Sequence, residues 1–212
     1  MIVVNEKNVN IVVVNELPYS AGMVSKGFWF KQFKKYNELL NKGYKDDEIK
    51  KMQEEENILL APSADYGKKM INEVSKRTRA LPKEIVNMFS SLTVADQKIL
   101  NILGVMMTDR LFFEFMYEVY REKIMTGNIQ LDNSDIRAFF ENKAGQSEKV
   151  ANFTLQTKKR LVTAYKTYLK EANLIEENGK VFNVKKPVLD INLEKKMRTK
   201  ELYPYLRIFL GE

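Results

Sequence analysis

Residues 154–184 read TLQTKKRLVTAYKTYLKEANLIEENGKVFNV, a basic amphipathic helix that runs directly into an Asn-Gly turn. Leu155, Leu161, Val162, Tyr165, Tyr168, Leu169 and Ala172 recur at three- and four-residue steps and predict one apolar stripe. Gln156, Lys159, Thr163, Lys166 and Lys170 share the opposite face. Thr154 suits the amino cap, because its hydroxyl can accept from the free N–H groups of the first turn. Asn173 suits the exit, and Asn178-Gly179 predicts a two-residue hairpin between Leu174-Ile175 and Val181-Phe182-Val184. A solvated helix face looks the same in isolation. The hairpin placed directly behind the helix favours instead a recognition helix followed by a wing, the order found in winged helix-turn-helix folds.

Charge and composition narrow the chemistry. The 212 residues carry a formal charge of +7, which favours polyanions, nucleic acid before an anionic membrane surface. Cysteine and histidine are both absent. That removes a thiolate nucleophile, a histidine base, a Ser-His-Asp triad and any Cys/His zinc site. The runs Asp46-Asp47-Glu48 and Glu54-Glu55-Glu56 fall in helical stretches, where neighbouring carboxylates point different ways and make poor metal sites. No enzyme activity, cofactor or metal is expected. The lack of disulfides and of a leader peptide fits the cytoplasm. The most apolar stretch, residues 99–120, contains Asp109, Arg110, Glu114 and Glu118. It therefore reads as two buried helices joined near Thr108-Asp109, not as a membrane span.

Other segments follow from the same rules. Residues 2–4 and 9–14 are β-branched and predict a hairpin or an edge strand. Helices are expected over residues 25–41 and 47–59, the second capped by Asp46, and over 64–81. The third is basic: Lys69, Asn72, Lys76, Arg77 and Arg79 lie away from a stripe of Gly67, Ile71, Val74, Thr78 and Leu81. Helices over 93–107 and 111–125 are the most apolar, with Thr93 and Asp96 set for a capping arrangement. A helix opened by residues 132–134 carries Ile136, Phe139 and Phe140, and a helical tail at 193–210 is interrupted at Pro204.

The expected fold is mainly α, with two helix-turn-helix-like helical units, the second a winged helix with a small β-hairpin. The expected divisions are a β-rich segment at 1–18, a helical domain at 19–92, a winged-helix domain at 93–187 and a tail at 188–212. Double-stranded DNA is the expected partner. Lys159, Arg160, Lys166 and Lys170 are the first candidates for phosphate contact, with Lys69, Lys76, Arg77 and Arg79 next. Gln156, Thr157, Thr163 and Asn72 could reach base edges, and Lys180 on the wing could touch the backbone or the minor groove. Two alternatives stay open: an interaction scaffold that presents its basic faces to acidic proteins, and RNA binding. RNA ranks lower because the aromatic residues fall on core stripes.

The runs YSAGMVSKGFWFKQFKKYNELLNKG and EENILLAPSADYGKKMINEVSKRTRALP, then LFFEFMYEVYREKIMTGNIQL and FFENKAGQSEKVANFTLQTKKRLVTAYKTYLKEANLI, resemble the BrxA family of bacteriophage-exclusion (BREX) defence systems. The resemblance runs from about Tyr19 to near the carboxyl end and leaves residues 1–17 outside it. It implies a small, non-enzymatic DNA-binding component acting beside other BREX defence proteins. Family members have been labelled inner-membrane proteins, a label against which the charges within residues 99–120 argue here, so no membrane insertion is expected. It also carries an analogy to antitermination RNA-binding proteins.

Overall fold

The computed structural model describes residues 14–179, 181–199 and 201–212. Two units emerge, Phe28–Gly104 and, separately, residues 14–27 with Val105–Glu212. The architecture is mainly helical with one small antiparallel sheet. These divisions do not coincide with the expected ones at 18, 92 and 187. The strands expected within residues 1–13 lie outside the described residues, and Val14 belongs to a short helical turn with its side chain buried.

The first unit contains α1 (Phe30–Asn41), α2 (Asp46–Glu56), α3 (Ala64–Ala80), α4 (Lys83–Met88) and α5 (Val94–Met106, to Gly104). α1 starts five residues later than its apolar pattern predicts. Trp29 at its amino end is held at φ 51°, ψ 44°, which breaks any helix running in from Ser25. The Phe28 carbonyl, just ahead of α1, is turned to the interior. It accepts from Arg77 Nη1 at 2.7 Å and from Asn101 Nδ2 at 2.8 Å. Gly104 permits this close meeting of α3 and α5, because a Cβ there would stand 2.9 Å from both the Cβ and the carbonyl oxygen of Arg77.

α2 also begins differently from its sequence pattern. Asp46 is its first helical residue, not its cap, and the Lys45 N–H is satisfied by Glu48 Oε2 at 2.7 Å. The Asp46 carboxylate turns instead toward α1 and α3. It accepts from Tyr36, from Ser75 Oγ at 2.7 Å and from Lys50 Nζ at 2.7 Å. Desolvation alone would raise its pKa, but the hydrogen bonds from Lys50, Tyr36 and Ser75 outweigh burial and bring it down to about 2.

The second unit contains α6 (Arg110–Phe115), a π-helical turn (Met116–Tyr120), α7 (Arg121–Thr126), α8 (Asn133–Gln146), α9 (Glu148–Ala151) and α10 (Leu155–Glu171). Then come β1 (Ile175–Asn178), β2 (Val181–Val184), α11 (Ile191–Met197) and α12 (Tyr203–Leu210). Asp109 Oδ1 accepts from the Phe112 N–H at 3.0 Å and caps α6, so the apolar stretch is broken where the sequence implies. Among the described residues no helix is long and apolar enough to cross a membrane. In the tail Pro204 lies in the first turn of α12, and the break falls between Met197 and Tyr203. Proline suits that position because its missing N–H has no partner to lose there. α12 buries Tyr205 against Phe113, with ring centroids 5.3 Å apart, which makes the tail part of this unit.

Asp46 supplies a pH test. A carboxyl with a lowered folded pKa stabilises the fold above its ordinary value of 3.8, and that stabilisation is lost as pH falls toward 2. Asp46→Asn is expected to cost ~2 kcal/mol at pH 7. It should also flatten the loss of stability between pH 4 and 2, as read from urea midpoints across pH.

Candidate nucleic-acid interface

α10 is positioned by its buried stripe. Leu161, Val162, Tyr165, Tyr168 and Leu169 face inward, and Tyr165 meets Phe112, Phe115 and Phe140 at centroid distances of 5.1, 4.8 and 5.6 Å. Tyr168 Oη donates to the Gly27 carbonyl at 2.8 Å, fixing the helix to the strap that precedes α1. Thr154 Oγ1 accepts from the Thr157 N–H at 3.1 Å, the expected amino cap. At the other end Asn173 takes φ 61°, and the Leu174 N–H returns to the Leu169 carbonyl at 2.8 Å.

The hairpin follows at once. Asn178 pairs with Val181, so the turn lies between these two and not across Asn178-Gly179. Gly179 at φ 65° supplies the left-handed residue at its first position. A third stretch of backbone joins the sheet. The Leu131 N–H donates to the Phe182 carbonyl and the Val184 N–H to the Ile129 carbonyl, both at 2.7 Å, with Gln130 bridged to Asn183. Residues 129–131 therefore lie along the outer edge of β2, between α7 and α8 in the chain.

α8, α10 and the hairpin frame an open groove of about 790 Å³. Phe140, Leu155, Val162 and Phe182 give it apolar surface. Its cations are Arg137, Lys158, Lys159, Lys166 and Lys170, against the two carboxylates Glu141 and Glu177. α8 is held in place by a buried ion network. Lys143 is 3% exposed and pairs with Glu114 at 2.7 Å and Glu118 at 2.5 Å. Glu114 also receives Arg110 at 2.8 Å and the Tyr19 hydroxyl at 2.9 Å. Desolvation alone would lower the Lys143 pKa, but the bonds to Glu114 and Glu118 outweigh it and raise it, so the ammonium stays charged.

The expected contact residues divide by place. Lys159, Thr163, Lys166 and Lys170 line the groove. Gln156, Thr157 and Arg160 do not. Thr157 is engaged in the cap, and Arg160 Nη2 donates to the Val24 carbonyl at 3.1 Å. Lys170 is ion-paired with Glu177 on β1, and Lys166 Nζ stands 4.0 Å over the Phe182 ring. Desolvation lowers the Lys166 pKa against the opposing pull of Asp132, Asp135 and Glu177. Lys180 lies outside the described residues.

In the first unit Lys69, Asn72, Lys76 and Arg79 are exposed on α3. Arg77 is a correction. It is 1% exposed, bonded to Phe28 and Asn101, 3.5 Å from Glu73 and under the Trp29 ring. Its position in the helix puts it on the buried side, and its charge serves the core.

Sequence reasoning missed Arg137 and Lys158. Asn133, Arg137 and Glu141 recur every four residues opposite Ile136 and Phe140, a polar line that would have marked the α8 side of the groove. Among the described residues no three His, Cys, Asp or Glu side chains are grouped to hold a metal ion.

The comparisons with known proteins bear on this arrangement. The family model described as BrxA matches residues 17–201. The chain belongs to the BrxA family. A BrxA-family relative from Bacillus cereus (strain H3081.97), named "BREX protein BrxA", is 32% identical over 200 residues, covering 94% of this chain and all of the relative. A crystal structure of an uncharacterized protein from Magnetospirillum magneticum is similar in fold. It has a TM-score of 0.67 at 16% identity over 92% of this chain and 99% of that one.

Tyr165 gives a test of the packing behind the groove. Its hydroxyl is buried without a hydrogen-bond partner among the described residues, and burial raises its pKa well above the ordinary value. Tyr165→Phe keeps the ring and removes the unsatisfied group. It is expected to stabilise the protein by ~1 kcal/mol in chemical denaturation, whereas Tyr165→Ala should cost ~4 kcal/mol.

Proposed function

We propose that this BrxA-family chain is a non-enzymatic double-stranded DNA-binding component of a BREX-type phage-defence system, acting in the cytoplasm beside other proteins of that system. In this reading α6–α10 with β1 and β2 form a winged helix, α10 is the recognition helix and the hairpin is the wing. The observation that carries it is the groove, because cations from two helices converge there and outnumber carboxylates beside a hairpin. The pairing of residues 129–131 with β2 supports the winged-helix reading, since it puts a bridged stretch before α8 and α10, with the four-residue α9 between them, and the hairpin after them. The name of the Bacillus cereus relative supports the BREX assignment.

The chemistry follows from charge. Arg137, Lys158 and Lys159 neutralise phosphates and release counterions, so affinity falls with salt. Thr163, in mid-helix, is placed to reach base edges if α10 enters a major groove. Lys166 and Lys170 are held by the hairpin in the free protein. Glu177 therefore competes with phosphate for Lys170, and DNA must displace it. The exposed cations of α3, Lys69, Lys76 and Arg79, form a second basic face that would add backbone contacts, with Asn72 beside them.

Fluorescence anisotropy with duplex DNA across a salt series tests the reading. Lys159→Glu/Lys166→Glu is expected to weaken binding roughly a hundredfold at low salt and to reduce the salt slope by about 2. Glu177→Gln is expected to tighten it several-fold. Equal binding by wild type and the double variant would remove the groove as the DNA site. Tighter binding to structured RNA than to duplex DNA would favour the RNA alternative, and no nucleic-acid binding would favour the scaffold.

A further inference from the structure

The segment that leaves the hairpin displays apolar side chains that neither the fold nor the groove uses. Residues 185–190 connect β2 to α11 and are tied down at both ends. The Lys185 N–H donates to the Leu174 carbonyl at 2.8 Å, and the Lys185 carbonyl accepts from the Tyr120 hydroxyl at 2.6 Å. At the far end Asp190 Oδ1 accepts from the N–H groups of Asn192 at 2.8 Å and Leu193 at 3.1 Å and caps α11. α11 is seated in turn by Leu193 and Met197, both fully buried. The connector is thus preformed, which lowers the entropic cost of using it in a contact.

Val188 and Ile191 are 92% and 79% exposed on this connector. Lys185 and Lys186 are exposed as well, whereas Pro187, Leu189 and Asp190 are half-buried. Exposure at residues 185, 188 and 191 follows the three-residue repeat of a polyproline II turn, which Pro187 and the backbone of Asp190 at φ −55°, ψ 136° both suit. That repeat places Val188 and Ile191 on one side of the connector.

The charges around the pair are one-sided. Lys185, Lys186, Lys195 and Lys196 are exposed, and none of their ammonium groups has an ion-pair partner among the described residues. The carboxylates within the same stretch are engaged: Asp190 caps α11, and Glu194 holds Arg198 at 2.6 Å. After α12, the Glu212 carboxylate accepts from the Tyr203 hydroxyl. Glu176 on β1 stands opposite Asn183, diagonal to Lys185, and offsets that charge alone. Lys186, Lys195 and Lys196 are left without compensation.

We propose that Val188 and Ile191, flanked by these lysines, form a protein-docking edge whose partner presents an apolar cleft rimmed by aspartate or glutamate. The lysines attract an acidic rim and repel a basic one, and the two aliphatic side chains fill the cleft. Other anionic surfaces fit less well. A phosphate backbone offers two aliphatic side chains no apolar surface to pack against. An anionic membrane calls for a longer apolar face, and α11 has seven residues and commits Leu193 and Met197 to the core. The proposal rests on the BREX reading only for where the partner is sought, among the proteins of the same defence locus.

The test measures binding of the full-length chain to each purified protein of its own locus by biolayer interferometry at several salt concentrations. Val188→Ser/Ile191→Ser is expected to weaken the complex about tenfold or more. Its melting temperature should be unchanged, because both side chains are exposed in the free protein, and so should its duplex-DNA anisotropy. Lys186→Glu/Lys195→Glu should weaken the same complex, whose affinity should fall with salt. Lys159→Glu/Lys166→Glu should leave it intact, so failure of the DNA reading and failure of this one are separable. Equal binding by wild type and Val188→Ser/Ile191→Ser overturns the proposal, as does the absence of a complex with any locus protein. Weaker duplex-DNA binding by Val188→Ser/Ile191→Ser also overturns it, by assigning the connector to the DNA site. Binding to phosphatidylglycerol vesicles that this variant loses overturns it too, by marking the pair as a membrane anchor.

Discussion

Tyr165 is where three helices of the second unit meet. Its ring touches Phe112 and Phe115 from α6 and Phe140 from α8, and each such contact contributes about 0.5–1.5 kcal/mol beyond the area it buries. The consequence is geometric. With Tyr165 locked inward, the helical period places Lys159, Thr163, Lys166 and Lys170 on the outward side, facing α8 and the hairpin. The contact surface of α10 is thus set by its buried side.

A second constraint keeps α8 opposite. Lys143 sits among aromatic and apolar groups and is tolerated there because Glu114 and Glu118 both reach its ammonium. Removing one member of such a buried pair typically costs about 3–5 kcal/mol, since the other charge is left without compensation. Glu114 also binds Arg110 and the Tyr19 hydroxyl, so it secures the segment before α1 to α6. Charges of this unit serve two separate ends. Arg110, Glu114, Glu118 and Lys143 hold the frame, and Lys158, Lys159, Lys166 and Lys170 of α10 face the groove with Arg137.

In the first unit the Phe28 carbonyl plays the organising part. It draws in Arg77 and Asn101, and Gly104 lets the two helices approach closely enough for both to reach it. This explains why a residue that looks like part of a basic face is buried. It also explains the left-handed Trp29, because the strap must turn sharply after delivering the Phe28 carbonyl before α1 can start. Leu60, just past the end of α2 at φ 53°, shows the same economy: a part-buried polar network, Gln53 with Asn57, fixes a backbone shape that no local preference would choose.

Local preference and periodicity determined much of this protein. The Thr154 cap, the Asn173 exit, the inward stripe of α10 from Leu161 to Ala172, the hairpin behind it and the Asp109 cap that divides the apolar stretch are all legible, because each depends on residues within about one turn of one another. Leu155, expected on the same stripe, is instead 70% exposed at the groove, because the first turn of α10 has no helix packed over it there. The groove side of α10 was legible for the same reason, as the reverse of its stripe. Long-range pairing was not. The bridging of Gln130 to Asn183, the burial of Arg77, the turning of Asp46 toward Tyr36 and Ser75, and the capture of Lys170 by Glu177 join residues whose neighbours in sequence give no sign of the partner. Amphipathicity assigns a charged residue to the outward face by default. Only the tertiary structure decides which charges find a buried acceptor strong enough to offset desolvation, and which remain at the surface for a ligand.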